Sequence, residues 1–327
     1  MGKTRPIILT NSMASCFQSC RKKYQFRYVD EIVRTDESVV ALSFGSAVHA
    51  GLERWFKYGV KEDAILVARS FPGLEVENQI KAAVLVERYI EHWCEDDKLF
   101  EVVGVEQEFK LPLRNPDTNA KSRTFVVCGK ADGVVRMNGE LFILEHKTTS
   151  CLDDVYIQRI QIDKQIAVYA DSISREMNEP VSGAIYDIIQ KPGIRMKKGE
   201  TDEEFAIRRA ALIAKSKTGT SKAVKQEHET EDEFEARVRG VVDDSYFRRE
   251  IIRFERAKIS EHIKELWQIA KDIRTGTYYR NTGECNAIGR KCPYLDLCVC
   301  GGDMSLCEGL YEHKRAHVEL SEDLIDD

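Results

Sequence analysis

No stretch of this 327-residue chain supplies the roughly 18 consecutive apolar residues that a membrane helix needs. The opening Met1-Gly-Lys-Thr-Arg-Pro lacks the apolar run of a secretory signal, which predicts a cytosolic protein without membrane attachment. Gly-x-x-x-x-Gly-Lys-Ser/Thr occurs nowhere, so the chain carries no recognisable ATP motor. An excess of positive charge is also missing. A net charge of −6 argues against broad, nonspecific coating of nucleic acid and leaves room only for a local basic channel. What is present is a 43% hydrophobic content, enough for a substantial core, in a length that suits one large domain with insertions or two modest ones. There are also ten cysteines, and in a cytosolic chain clustered cysteines point to metal rather than to disulfides.

The most informative dipeptide is Asn138-Gly139. It lies between two β-prone runs, residues 124–137 and 140–147, and Asn-Gly in that setting is the strongest short-range hairpin signal. A two-residue turn places Met137 opposite Glu140, Asp132 opposite Glu145, and Lys130 opposite Lys147. Directly opposed residues have Cβ atoms roughly 4.5–5.5 Å apart, and two acids that close are unfavourable unless a cation sits between them. Magnesium or manganese suits such hard oxygen ligands. Lys147 falls on the same face as Glu145 by the strand period. The ordinary alternative is a solvated face of scattered charges, but Val134, Leu141 and Ile143 share that face and argue that it is covered.

Asp132 followed by Glu145-His146-Lys147 resembles the Asp…Glu-x-Lys core of the PD-(D/E)XK nuclease superfamily, with Ala131 where the name-giving proline would stand. The segments Gly45-Ser-Ala-Val-His49 and Gln165-Ile-Ala-Val-Tyr169 resemble motifs of its RecB, AddB and Cas4 branch. The resemblance implies an α/β core, a central mixed β-sheet flanked by helices. It implies Mg²⁺ or Mn²⁺ held by His49, Asp132 and Glu145, with the backbone carbonyl of His146 as an extra ligand. It gives Lys147 the role of orienting or deprotonating water, and has Gln165 and Tyr169 contact DNA or orient Lys147. The helical stripes agree: Phe44, Val48, Leu52, Trp55 and Phe56 form one, and Ile162, Ile166, Tyr169 and Ile173 another.

Half of the cysteines, Cys285, Cys292, Cys298, Cys300 and Cys307, fall in one Gly-rich region, and Cys20 sits on a basic, aromatic N-terminal helix. This is similar to the iron–sulfur staple of AddB- and Cas4-like nucleases, which implies a [4Fe–4S] cluster on Cys20, Cys285, Cys292 and Cys298. The gap between Cys285 and Cys292 is longer than usual there, which makes Cys16, Cys300 and Cys307 the substitutes for Cys285. Four thiolates suit zinc equally well by chemistry. Beside Cys20, the residues Arg21, Lys22, Lys23, Tyr24 and Arg27 interleave charge and ring in a way that suits a phosphate backbone and stacked bases. A snorkelling amphipathic helix is the alternative.

The expected organisation is an N-terminal helix (1–30), a nuclease core (31–190), a charged helical insertion (191–245), a long helix leading into the cysteine region (246–310) and an acidic, disordered tail (311–327). Within the insertion, residues 200–208 are echoed by 229–237, and both copies begin with a Thr-x-x-Glu capping box. The resemblance implies an exonuclease acting on DNA ends or single strands in recombination, repair or spacer acquisition. It would work in the cytosol of a bacterium or phage-infected host, with a helicase, recombinase or integrase as partner. A DNA-end-binding module that never cuts, scaffolded by its metal cluster, is the rival function.

Overall fold

The computed structural model describes residues 6–35, 44–216, 218–289, 291–317 and 320. Asn138 and Gly139 both take positive φ, 52° and 81°, as a two-residue turn matched to strand twist requires. The turn joins two long strands of a mixed six-stranded sheet. Their order is β1 (Ile7–Leu9), β4 (Lys121–Met137), β5 (Glu140–Thr149), β6 (Val181–Gln190) and β7 (Phe247–Arg253), with β3 (Phe100–Arg114) also on β4. β3 lies antiparallel along one edge of β4. The other edge is shared: β1 runs parallel to residues 125–127, and β5 runs antiparallel to residues 133–137. Residues 128–132 lie between these two stretches, and there the edge opens.

The hairpin register holds from Met137–Glu140 to Gly133–Leu144 and stops there. Asp132 and Glu145 are therefore not ladder partners, as the sequence had suggested. Lys130 instead faces Glu108 of β3, and Lys147 runs beside Ile188 of β6. The expected lysine pair does not form, because each strand turns to a different neighbour where the two part.

Helices cover both faces. Val134, Ile143, Tyr186 and Ile188 pack beneath α1 (Asn11–Ser19), α7 (Lys164–Met177) and α10 (Arg256–Arg274). Val135, Phe142, Leu144 and Ile185 alternate to the other face, the side that also carries Ile189 into the core built by α3 (Phe44–Tyr58), α4 (Lys61–Arg69) and α5 (Val76–Trp93). Each fully buried Val, Ile or Phe contributes on the order of 1.5–3 kcal/mol, which pins β5 from both sides.

Three expectations need correction. The helix expected from residue 246 starts at Arg256, because Phe247–Arg253 pairs with β6 as an edge strand. Ile162 precedes α7 and is exposed, so it does not belong to that stripe. The stretch assigned to the tail opens with a short strand, β8 (Tyr311–His313), paired to β2 (Ile32–Arg34). The acidic residues 321–327 lie outside the described residues.

Both capping boxes form, Thr201 with Glu204 and Thr230 with Glu233, at the starts of α8 (Asp202–Lys215) and α9 (Glu231–Val241). The two copies clasp each other reciprocally. Glu200 exchanges hydrogen bonds with Gln226, and Glu229 does the same with Lys197. Each glutamate also holds an arginine within its own copy, Glu200 with Arg208 and Glu229 with Arg237. These arginine contacts pull both carboxyls from 4.5 to about 2. A depressed folded-state pKa stabilises above the unfolded value and is lost as pH falls through the folded one. Protection factors of amides in α8 and α9 should therefore be high at pH 6 and fall below about pH 3, as protonation opens the clasp. Unchanged protection at pH 2 would show that packing of Phe234, not the glutamates, holds the arm.

Candidate active site

Four elements converge where β4 and β5 part. Asp132 leaves the ladder, and its Oδ2 accepts a hydrogen bond from the His146 amide at 2.8 Å. Its Oδ1 lies 3.3 Å from Nδ1 of His49, which α3 brings from one face of the sheet. From the other face α7 supplies Gln165, whose side chain ties three groups together. Its Nε2 donates to Glu145 Oε1 at 3.1 Å and to the Tyr169 hydroxyl at 3.1 Å, and its Oε1 accepts from Lys147 Nζ at 3.0 Å. Lys147 also donates to Glu145 Oε1 at 2.6 Å. The glutamine and tyrosine thus orient the lysine and the acid. Tyr169 is buried, which leaves no face for DNA.

The charges follow from this packing. Burial pushes the Glu145 carboxyl up, and the neighbouring Asp132 charge pushes it further. Burial opposes ionisation of Asp132 too, but His49 and the hydrogen bonds it receives outweigh that and hold it well below the usual range. Burial would lower Lys147, yet Glu145 overcomes it and keeps the ammonium charged. The Asp132 carboxylate likewise raises His49 against its burial.

Among the described residues no three His, Cys, Asp or Glu side chains form a ready-made metal-binding group. One atom nonetheless calls for a cation. Glu145 Oε2 is buried without any hydrogen-bond partner, while Oε1 of the same carboxylate has two. A buried carboxylate oxygen left unpaired costs of order 1–3 kcal/mol or more. With Asp132 and His49 beside it, the donor set fits Mg²⁺ or Mn²⁺.

The four cysteines named from sequence lie around one cavity of about 170 Å³, lined by Cys20, Cys285, Cys292 and Cys298 together with Lys23 and Arg280. Cys292 and Cys285 are joined by a backbone hydrogen bond of 2.9 Å. Cys300 and Cys307 do not line this cavity and pack in the apolar cluster of Phe26, Tyr294 and Leu297.

The N-terminal basic residues stand differently from the expectation. Tyr24 is 2% exposed and packs edge-on against Phe17, so it is a core residue and cannot stack on a base. Arg21 is sandwiched by Phe17 and Tyr279 and bound to Asp272 at 2.9 Å. Lys22 reaches Gln25 and the Phe26 ring. Arg27 lies over Tyr28. Of Arg21, Lys22 and Arg27, only Arg21 reaches another segment, at Asp272 and Tyr279, while Lys22 and Arg27 lie against residues of their own segment. Lys23 lines the cysteine cavity.

Reading the residues in sequence missed the polar core behind the site. Tyr89 of α5 donates to Asp187 of β6 at 2.5 Å, and Arg249 of β7 grips the same carboxylate at 2.6 and 2.7 Å. The signal was there: Asp187 interrupts the apolar run 184–189 of a strand covered on both faces. Glu106 was missed as well. It takes φ 53° between the Val105–Gly133 and Gln107–Ala131 pairs and forms an ion pair with Lys130.

A mixed sheet sandwiched by helices, opened at an Asp beside a Glu-x-Lys strand, defines an α/β protein built for nuclease-type chemistry. The chain belongs to the PD-(D/E)XK nuclease superfamily, whose family model matches residues 9–299. No curated protein matches it. Among solved structures, the crystal structure of SSO0001 is 12% identical, over 75% of this chain and 80% of that one, with a TM-score of 0.28. A likeness that faint carries no argument. Among the described residues, no helix is long and apolar enough to cross a membrane.

Proposed function

We propose that the chain is a Mg²⁺- or Mn²⁺-dependent deoxyribonuclease, with Asp132, Glu145 and His49 holding the cation and Lys147 completing the site. The observation that carries this is the buried, unpartnered Glu145 Oε2 beside the Asp132–His49 pair. When bound, the cation supplies Lewis acidity: it makes a coordinated water more acidic and offsets charge on the scissile phosphate. Water attacks phosphorus and gives up a proton to solvent as the new P–O bond forms; the bond to the leaving sugar oxygen breaks, and that oxygen takes up a proton from solvent. Lys147 stays an ammonium, so its role is to hold the attacking water and stabilise negative charge on the phosphoryl oxygens. Gln165 fixes the direction of that ammonium, and Tyr169 fixes Gln165. Action at DNA ends or single strands, as an exonuclease, is supported by the resemblance of the His49 and Gln165–Tyr169 motifs to the RecB, AddB and Cas4 branch.

The test is cleavage of end-labelled single- and double-stranded DNA by anaerobically purified protein with Mn²⁺. Wild type should shorten labelled strands stepwise, and Asp132→Ala should leave them intact. Tight DNA binding without cleavage by wild type would make the chain an end-binding module instead.

The cysteine cavity supports a second element of the proposal, a [4Fe–4S] cluster on Cys20, Cys285, Cys292 and Cys298, with zinc as the alternative occupant. Such a cluster would tie the N-terminal helix to the C-terminal region, and its binding energy becomes folding energy. Anaerobic protein should therefore be brown, and Cys20→Ser should lose the colour and expose residues 280–313 to protease. Colourless protein carrying one equivalent of zinc would decide for zinc.

A further inference from the structure

Helix α7 serves a second cavity besides the catalytic opening. Gln165, with Tyr169 behind it, reaches Glu145 and Lys147. Val168, Asp171, Ser172 and Arg175 recur at helical spacing on another face and line a cavity of about 550 Å³. Its other walls are the end of the β3–β4 hairpin, the segment that leads into β6, and the first half of α10. None of His49, Asp132, Glu145 or Lys147 lines it. The volume falls in the range of roughly 300–1,000 Å³ that holds small organic ligands.

The floor is apolar, since Leu113, Val127, Val168, Val181 and Leu266 all line it and all are buried. One polar group among them lacks a partner. Ser172 is wholly buried, and its hydroxyl makes no hydrogen bond. A buried hydroxyl left unpaired is unfavourable, and a polar ligand atom would relieve it. The rim is cationic. Arg114, Arg175 and Arg256 line the cavity against two carboxylates, Asp171 and Glu179. Glu179 is taken from outside by Arg136, at 2.6 and 2.9 Å, and Asp171 holds Arg175 at 2.8 Å. Arg114 donates only to Asn119, at 3.0 Å to its side chain, and Arg256 forms no ion pair among the described residues. Two guanidinium charges therefore stand at the rim without an acid of their own. Burial lowers the Arg175 pKa, and Arg114 adds to this against the pull of Asp171. Asn119 and Asn178, held at φ 58° and 53°, add amides to the lining, each offering a donor and an acceptor.

We propose that this cavity binds a nucleoside monophosphate, with the base on the apolar floor and the phosphate at Arg114 and Arg256. A planar guanidinium fork matches phosphate oxygens two at a time, and an asparagine amide matches the donor–acceptor edge of adenine. The Ser172 hydroxyl and the Asn178 amide are the groups that meet the polar edge of the base. A nucleoside monophosphate is also what stepwise cleavage of DNA releases. That link rests on the deoxyribonuclease reading, whereas the binding itself does not.

The experiment is isothermal titration of dAMP into the full chain without added divalent cation, with deoxyadenosine and inorganic phosphate titrated separately. One dAMP should bind per chain, and each of the two fragments should bind at least about tenfold more weakly. Arg114→Ala should lower dAMP affinity about 10–100-fold, the range for a lost hydrogen bond to a charged group. Ser260→Trp, at an exposed position of α10 that lines the cavity, should block binding by filling the mouth. Both variants should keep the wild-type melting temperature and rate of DNA cleavage. Absence of dAMP binding, or equal affinity in wild type and both variants, would overturn the assignment. Phosphate that binds as tightly as dAMP would reduce the cavity to a plain anion site. Binding lost in Asp132→Ala but kept in Ser260→Trp would move the nucleotide to the catalytic centre. Wild type that binds dAMP in this cavity yet cuts no DNA would sink the deoxyribonuclease reading and leave the assignment standing.

Discussion

Lys147→Ala is expected to lower the rate of Mn²⁺-dependent DNA cleavage by about 10²–10³-fold, with Mn²⁺ affinity and DNA affinity little changed. The size follows from where the ammonium sits. It is three-quarters shielded from water and aimed by Glu145 and Gln165 toward the opening between β4 and β5. A positive charge held there costs nothing to reorganise as charge develops on the phosphoryl oxygens. Water could replace the volume of the lost side chain but not its fixed charge. Lys147→Arg should not restore the rate, because a planar guanidinium cannot reproduce a compact ammonium held between two oxygens 2.6 and 3.0 Å away. Single-turnover cleavage with saturating Mn²⁺ measures the effect. A fall confined to the half-saturating DNA concentration would mean that Lys147 binds substrate and does not act in the chemical step.

The largest loss of stability should come from Arg249→Ala, at about 3–5 kcal/mol, enough to lower the melting temperature by roughly 10 °C. Arg249 donates to Asp187 at 2.6 and 2.7 Å and to Asp97 at 2.9 Å. Asp187 is wholly buried, and removal of the guanidinium would strand its carboxylate beside the Tyr89 hydroxyl. Trp93 and Phe100 also lose the cation that lies over their rings. A surface pair with equally good geometry makes the control. Arg136 holds Glu179 at 2.6 and 2.9 Å, but both side chains are about one-third exposed, so Arg136→Ala should cost no more than about 1 kcal/mol. Urea unfolding of the two variants compares them directly. Equal losses would mean that burying the Arg249–Asp187 pair adds nothing to what an exposed pair contributes.

Both results bear on the division between chain and fold. The sequence by itself determined the hairpin, because Asn138-Gly139 is a local backbone preference that no distant contact has to supply. It determined the paired capping boxes for the same reason, since each closes within three residues. Its motifs also singled out Cys20, Cys285, Cys292 and Cys298, which line one cavity, and Asp132, Glu145 and Lys147, which gather at one site. What it could not determine is where the ladder ends. Extending the turn register made Asp132 and Glu145 partners, whereas β1 and β5 divide one edge of β4 and the strands open between them.

Only the tertiary structure decided that the Asp132 carboxylate takes the place of a ladder bond to the His146 amide. Burial likewise took Tyr24 and Tyr169 away from nucleic acid, since a ring packed in the core cannot also stack on a base. The polar core of Tyr89, Asp187 and Arg249 joins residues far apart in the chain, and no periodicity or spacing encodes such a meeting. Local preferences act through a few consecutive bonds and are written in order along the chain. The environment of a buried charge is set by whichever elements happen to pack around it, and only the folded chain brings those together.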